Sequence, residues 1–365
     1  MLPVLLLLWS ITATGAGANA VTNAMQATAP TIGCGTRFSK TGHADLTPNT
    51  NSSAFDDYNV AHPFVAEVSG AWRLYYDGGP TSGMHSGHEY DFYQLGMATS
   101  TGGAGGPWVR EGSALLPLIH GADDHHGNPT LLRDDSNRVV REGGLFHMIY
   151  CGDKNYSLFR AVSSDGVAWT KVDGGPFWAS GYAPSVLRVD GMLHLFYVEA
   201  GSPDAPHSNW SIAVARGRDW GSLERVGTAL VTNTQAWENQ RVFYPYVLHE
   251  RDGKGWTMAY SAYANRSIIG LPPKGTSGTL AAATGVAHSA DGVTWTKCAS
   301  NPVLTPTLGS NYDSIFTTSP SVVTVNAAGD PVAAPLLYYG GRIDFPEGVK
   351  QHKYYSLAHA AAANT

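Results

Sequence analysis

The chain has 365 residues, 23 of them Lys or Arg against 29 Asp or Glu, which gives a formal net charge of -6 with only 14% of residues charged. That mild acidic balance is spread along the chain and offers nothing to a phosphate backbone, which excludes nucleic acid as a partner. With 42 glycines and no sustained apolar period of 3.6, few helices are expected.

Residues 1–20 read as a secretory signal peptide, an apolar run followed by small residues and an Ala18-Asn-Ala20 cleavage site. The run is well short of the roughly 20 residues that span a bilayer, and no second run of that length follows. The mature chain is therefore expected to be secreted, extracellular and free of the membrane. Sequons at Asn51, Asn155, Asn209 and Asn265 agree with export. Cys34, Cys151 and Cys298 fit no zinc spacing and leave room for one disulfide, whose pairing stays open. Residues 21–43 form an N-terminal segment, and 44–365 form the main domain.

One element then recurs along the domain: Pro, a β-rich run, a polar turn, and a second run ending in Tyr. It appears as Pro63-Phe-Val-Ala-Glu-Val68 with Trp72-Arg-Leu-Tyr-Tyr76, and as Pro129-Thr-Leu-Leu132 with Leu145-Phe-His-Met-Ile-Tyr150. Further copies are Pro184-Ser-Val-Leu-Arg-Val189 with Leu193-His-Leu-Phe-Tyr197, and Pro245-Tyr-Val-Leu-His249 with Trp256-Thr-Met-Ala-Tyr260. The last is Pro320-Ser-Val-Val-Thr-Val325 with Leu336-Leu-Tyr-Tyr339. Small apolar runs such as Leu95-Gly-Met-Ala98 and Gly285-Val-Ala-His288 supply a third strand after each copy. Two of them enter nearly identical turns, Ser163-Ser-Asp-Gly-Val-Ala-Trp169 and Ser289-Ala-Asp-Gly-Val-Thr-Trp295, and Asp-Gly between β runs predicts a hairpin with positive φ at both residues. A fixed repeat of short strands predicts an all-β fold, a five-bladed β-propeller with blades of four antiparallel strands. Each Pro is expected at the first residue of an innermost strand, where no ladder hydrogen bond is lost. The last copy lacks a fourth strand, and Arg37-Phe-Ser-Lys40 is expected to supply it and close the ring.

Acids recur in register too. Asp56, Glu238 and Asp313 stand at the same step before Pro63, Pro245 and Pro320, each after an aromatic: Phe55, Trp237 and Tyr312. The second copy has Asp123 and Asp124 nearly in register, and the third has Phe177. If the segments entering the innermost strands meet at one channel face, these carboxylates converge there and form the pair that glycoside cleavage requires. A repeated cap, with the carboxylate binding nearby backbone, fits the same pattern. The residues before each Pro, His62, Asn128, Ala183, Tyr244 and Ser319, differ from copy to copy and are expected to face the channel as ligand contacts. Loops after the second strands add Asp77, Asp153, Lys154, Glu199, Asp204, His207, Tyr263, Arg266, Arg342, Asp344 and Glu347. The cluster His85-x-x-His88-Glu89 and the pair His125-His126 lie on Gly-rich loops and predict no metal site. No cofactor is expected, and a structural calcium in the channel has no support in the sequence.

The turns at 163–169 and 289–295, the ends Leu74-Tyr-Tyr76 and Leu337-Tyr-Tyr339, and the Pro-Ser-Val runs at Pro184 and Pro320 resemble the five-bladed propeller superfamily of glycoside hydrolases that includes families 32, 43, 68, 117 and 130. The resemblance spans residues 44 to 360. It implies catalytic carboxylates, an Asp from the first blade and a Glu from a later one, which carry over to Asp56 or Asp57 as base or nucleophile and Glu238 as acid, with Asp313 or Asp124 assisting. It implies a carbohydrate substrate, for which His62, Asn128, Tyr244, Ser319, Arg342 and Asp77 are the expected contacts by their positions, and a monomer is expected. Two positions depart from family 43, which places acids near the Pro where this chain has His62 and Tyr244, and the Asn-Asp-Pro-Asn signature of family 32 is absent. A non-catalytic carbohydrate-binding propeller is the alternative. Sialidases are excluded, because their Asp-box motif has a residue between Asp and Gly.

Overall fold

The computed structural model describes residues 32–81, 93–118, 125–152, 156–199, 210–250, 253, 255–272, 280–344 and 355–363. The signal peptide, Asp123, Asp124, the His85 cluster, Asp153, Lys154, Asn155, Asp204, His207, Asn209 and Glu347 lie outside these residues. The described chain is all-β, with two short 3-10 helices at Ala236–Glu238 and Arg266–Ile269.

Strand β1 (Phe38–Lys40) comes first, and the rest pair in sequence order into antiparallel groups. The first group holds β2 (Asn59–Val68), β3 (Ala71–Gly79), β4 (Gln94–Ser100) and β5 (Val109–Arg110). The second holds β6 (His126–Leu131), a short β7 (Arg141–Glu142), β8 (Leu145–Gly152), β9 (Ser157–Ser163) and β10 (Thr170–Lys171). The third holds β11 (Tyr182–Val189), β12 (Met192–Glu199), β13 (Ser211–Gly217) and β14 (Glu224–Leu230). The fourth holds β15 (Arg241–His249), β16 (Trp256–Asn265), β17 (Leu280–Ser289) and β18 (Thr296–Lys297). The last holds β19 (Phe316–Val325), β20 (Pro331–Arg342) and β21 (Tyr355–Ala362), and β1 pairs antiparallel with β21 as its outer strand. One parallel bridge, Ala282 to Phe316, links the fourth and last groups.

First strands lie against one another in turn: β2 contacts β6, β6 contacts β11, β11 contacts β15, β15 contacts β19, and β19 contacts β2. They carry the most buried residues, and all of β19 is buried. Third strands need small residues because bulky groups cross them. A Cβ on Gly96 would sit 2.5 Å from the Phe55 ring, and one on Gly285 would sit 2.6 Å from the Trp237 ring.

Two local expectations are corrected. No repeated Pro begins its strand, since Pro63, for example, lies inside β2. In the Asp-Gly turns only the glycine has positive φ, 77° at Gly166 and 70° at Gly292. The aspartate is instead an acceptor: Asp291 Oδ1 takes the N–H groups of Val293 and Thr294, both at 2.7 Å. Those donors hold its carboxyl down at about 2.

Cys34 and Cys298 form the disulfide and Cys151 is a buried thiol. The bridge ties the segment before β1 to the end of β18, and Lys40 on β1 forms an ion pair with Asp313 at 2.5 Å. A mature chain starting at residue 43 loses all three attachments. It should melt at least about 5 °C lower, because a bridge closing so long a loop contributes about 2–5 kcal/mol. An unchanged melting temperature would show that this segment adds no stability.

Candidate active site

The site begins with a backbone distortion found in every first strand. The residue before each repeated Pro has positive φ: 51° at His62, 55° at Asn128, 48° at Ala183, 52° at Tyr244 and 56° at Ser319. Pairing with the second strand slips at the same places, between Ala61 and Phe64, Gly127 and Thr130, Tyr182 and Ser185, Phe243 and Tyr246, and Thr318 and Ser321. Each is a β-bulge, which tolerates a Pro and re-aims a side chain. A non-Gly residue held there costs about 1–3 kcal/mol, so the surroundings must over-determine it. Neighbouring strands do so. Ser321 Oγ accepts the Val65 N–H at 3.1 Å, Ser185 Oγ accepts the Val247 N–H at 3.0 Å, and Ser261 Oγ accepts the Ser319 N–H at 2.9 Å. The serines of the Pro-Ser-Val runs thus stitch one first strand to another.

The bulges bring all five pre-proline residues to one open pocket, lined also by Phe64, Thr130 and Tyr246, whose enclosed volume is about 30 Å³. His62 is one of its lining residues. Its Nδ1 lies 2.7 Å from Asp77 Oδ2 and its Nε2 lies 2.8 Å from Tyr244 Oη, which is 2.8 Å from Tyr182 Oη. Asp77, buried at the end of β3, also accepts the Asn128 N–H at 3.2 Å. Gly127 makes room, since a Cβ there would meet Asp77 Oδ2 at 2.7 Å. Burial, reinforced by Tyr182, Tyr263 and Tyr355, pushes the Tyr244 hydroxyl well above its usual range. It therefore stays protonated, and the network reads Tyr182 to Tyr244 to His62 to Asp77 when His62 carries its proton on Nδ1. Both polar atoms of the Asn128 side chain, Thr130 Oγ1 and Ser319 Oγ are buried without a protein partner. Buried polar groups require partners, so this pocket is built for a polar guest or water.

An aromatic row leads from the pocket. Ring centres run from Tyr244 to Phe243 at 4.5 Å, Phe243 to Tyr263 at 4.6 Å, Tyr263 to Phe316 at 5.1 Å and Phe316 to Tyr355 at 6.1 Å. Arg241 lies 4.3 Å over Tyr263 and Arg342 lies 5.0 Å over Phe316. Tyr182, Trp210 and this row were not singled out as a platform from sequence, because the rings come from different strands and share no spacing.

The recurring acids are elsewhere. Asp56 accepts the Tyr76 hydroxyl and the Arg110 Nε–H, both at 2.8 Å, inside the first group. Glu238 accepts from Tyr260 at 3.0 Å, from Thr234 Oγ1 at 2.7 Å and from the Gln235 N–H at 3.1 Å, and it is ion-paired with Lys297. Asp313 accepts from Tyr339 at 2.9 Å and pairs with Lys40. Each acid is thus held by a Tyr of its own second strand and a basic residue of its outer strand, β5, β18 or β1. The expected meeting of Asp56, Glu238 and Asp313 at the channel is corrected: they are repeated clamps, and none lines the pocket. Asp57 ties the segment before β2 to the end of the stretch after β3, accepting the Thr81 N–H at 2.6 Å. Glu199 pairs with Arg225 at 2.9 Å and Asp344 with Arg266 at 2.7 Å. His62, Asn128, Tyr244, Ser319 and Asp77 are brought together as expected, and Arg342 joins them only through the aromatic row. The Tyr at each second-strand end recurs visibly in the sequence, but the basic partner lies 54, 59 or 273 residues from its acid, which hides the pairing.

No protein-family profile and no curated protein sequence matches the chain. Solved structures do. A structure from work on glycoside hydrolase family 130, whose glycoside hydrolases target β-1,2 mannosidic linkages in Candida mannan, is 16% identical with a TM-score of 0.63, covering 90% of this chain and 96% of that one. The catalytic domain of a Coprinopsis cinerea family 62 α-L-arabinofuranosidase is 12% identical with a TM-score of 0.63, covering 91% and 98%. A thermostable family 43 glycoside hydrolase is 16% identical with a TM-score of 0.59, covering 87% and 96%. The chain has the fold of these propeller glycoside hydrolases.

Two outcomes follow from the site's construction. Lys297→Met strands the buried Glu238 carboxylate and should cost about 3–5 kcal/mol, whereas adding Glu238→Leu should restore most of it. Equal stability of the single variant and the parent in urea would dismiss the clamp. Burial also pushes up the hydroxyls of Tyr75, Tyr244, Tyr246 and Tyr260. These groups ionise near pH 10 only when unfolded, so their contribution is intact below that value and is lost as pH rises above it. Melting followed by circular dichroism should show a steep fall above about pH 10, and a flat profile to pH 11.5 would contradict it.

Proposed function

We propose that the protein is a secreted, monomeric, glycosidase-like five-bladed β-propeller, closed by β1, that acts on a carbohydrate bound at the pocket of the pre-proline residues. The observation that carries this reading is the Asp77–His62–Tyr244 array in a pocket whose Asn128, Thr130 and Ser319 side chains lack protein partners. Sugar hydroxyls are donors and acceptors at once and complement such groups, while the aromatic row offers apolar sugar faces a surface. The fold shared with glycoside hydrolases supports the substrate class.

In this reading His62 is the proton-transfer group. Asp77 holds the Nδ1–H, so Nε2 is aimed at the pocket and exchanges its Tyr244 contact for the substrate. Hydrolysis also needs a second carboxylate. Asp124, one residue before His125 in sequence, is the candidate for it. A non-catalytic carbohydrate-binding protein is the second reading, favoured by the locking of Asp56, Glu238 and Asp313 in ion pairs, which leaves Asp77 as the carboxylate at the pocket among the described residues.

A screen of plant, algal and bacterial glycans separates the two. His62→Asn, which tolerates the positive φ, and Asp77→Asn should each lower turnover about 10²- to 10⁴-fold with folding intact. Asp124→Asn should be comparably damaging. Turnover unaffected by all three would refute the assignment, and glycan binding without turnover by the parent would establish the second reading.

A further inference from the structure

Arg133 follows β6 and is among the largest fully buried side chains, 1% exposed. Its Nη2 donates to Ser185 Oγ at 3.1 Å and to the Val247 carbonyl at 2.8 Å, and its guanidinium lies 4.2 Å over the Tyr246 ring. It therefore sits where the second, third and fourth groups meet. Its Nε and Nη1 have no partner. The adjacent Asp134 favours its charge at a distance but makes no hydrogen bond to it, its oxygens binding Arg138 instead, Oδ2 to the Nε at 2.8 Å and Oδ1 to the backbone N–H at 2.9 Å. No other carboxylate pairs with Arg133 among the described residues.

A guanidinium cannot shed its proton at any pH the protein meets, so it cannot escape burial by becoming neutral. Burial does lower its pKa, the direction expected of a desolvated cation, but from a value far above neutrality. The aromatic face of Tyr246 compensates part of the charge and none of the unpaired N–H groups. Water would satisfy those donors and leave the charge.

We propose that the protein holds a buried monovalent anion, a halide, at the unpaired N–H groups of Arg133, beside the Tyr246 wall of the His62 pocket. One guanidinium with no second cation bonded beside it suits a single negative charge, and a small sphere suits so enclosed a place. The anion completes the packing between the groups that carry Ser185 and Val247. Because Val247 lies three residues from Tyr244 on β15, occupancy also steadies the strand that presents Tyr244 to His62.

Bromide is the probe. Crystals of the full mature chain soaked in sodium bromide should show an anomalous peak within hydrogen-bond distance of Arg133 Nε or Nη1. In solution, melting temperature should rise with chloride or bromide and saturate at constant ionic strength, with methanesulfonate as the balancing anion. Arg133→Met, of similar length and uncharged, should remove that rise. A bromide map with no peak at Arg133 overturns the proposal, as does a halide-dependent rise that Arg133→Met retains or a flat response in the parent. Should Arg133→Met fail to fold, the bromide peak in the parent decides.

Discussion

The structure depends on one constraint, the bulge at the residue before Pro in each first strand. Pro removes a ladder donor, and the residue before it, which a following Pro by itself favours in extended geometry, is held by the bulge at a φ near +50°. A single such residue is a local cost. Five of them in equivalent places, stitched by Ser185, Ser261 and Ser321, turn the cost into a shared site, because each bulge swings one side chain toward the same pocket.

Repetition and variation have separate meanings here. What repeats holds the sheets: the aromatic-acid pairs, the Tyr that donates to each acid, and the Lys or Arg that neutralises it. What varies, His62, Asn128, Ala183, Tyr244 and Ser319, lines the pocket. The clamps are closed by ion pairs and Tyr hydrogen bonds, although Asp56 Oδ1 and Asp313 Oδ1 have no protein partner, and the pocket presents its own unpartnered polar atoms on Asn128, Thr130 and Ser319.

Much of the fold was legible because strand order follows sequence order, so each copy of the repeated element appears as consecutive antiparallel strands, and the missing outer strand pointed to Arg37-Phe-Ser-Lys40. The pre-proline residues were legible for the same reason. The acids misled because shared register places residues equivalently in each sheet without saying whether that place is central or peripheral. Partners settle it, and Arg110, Lys297 and Lys40 come from outer strands whose distance in sequence hides the pairing. Arg133 and the aromatic row were illegible for a related reason, since their contacts join strands with no common spacing. The pairing of Cys34 with Cys298 spans 264 residues and could not have been chosen from three cysteines.

The central claim is that the pocket of the pre-proline residues is a carbohydrate site. A crystal structure with a bound glycan fragment tests it most directly. The account predicts a sugar ring within hydrogen-bond distance of His62 Nε2 and the Asn128 side chain, with Tyr244 displaced from His62. A sugar seated elsewhere, with the His62–Tyr244 contact intact and only water in the pocket, would contradict it.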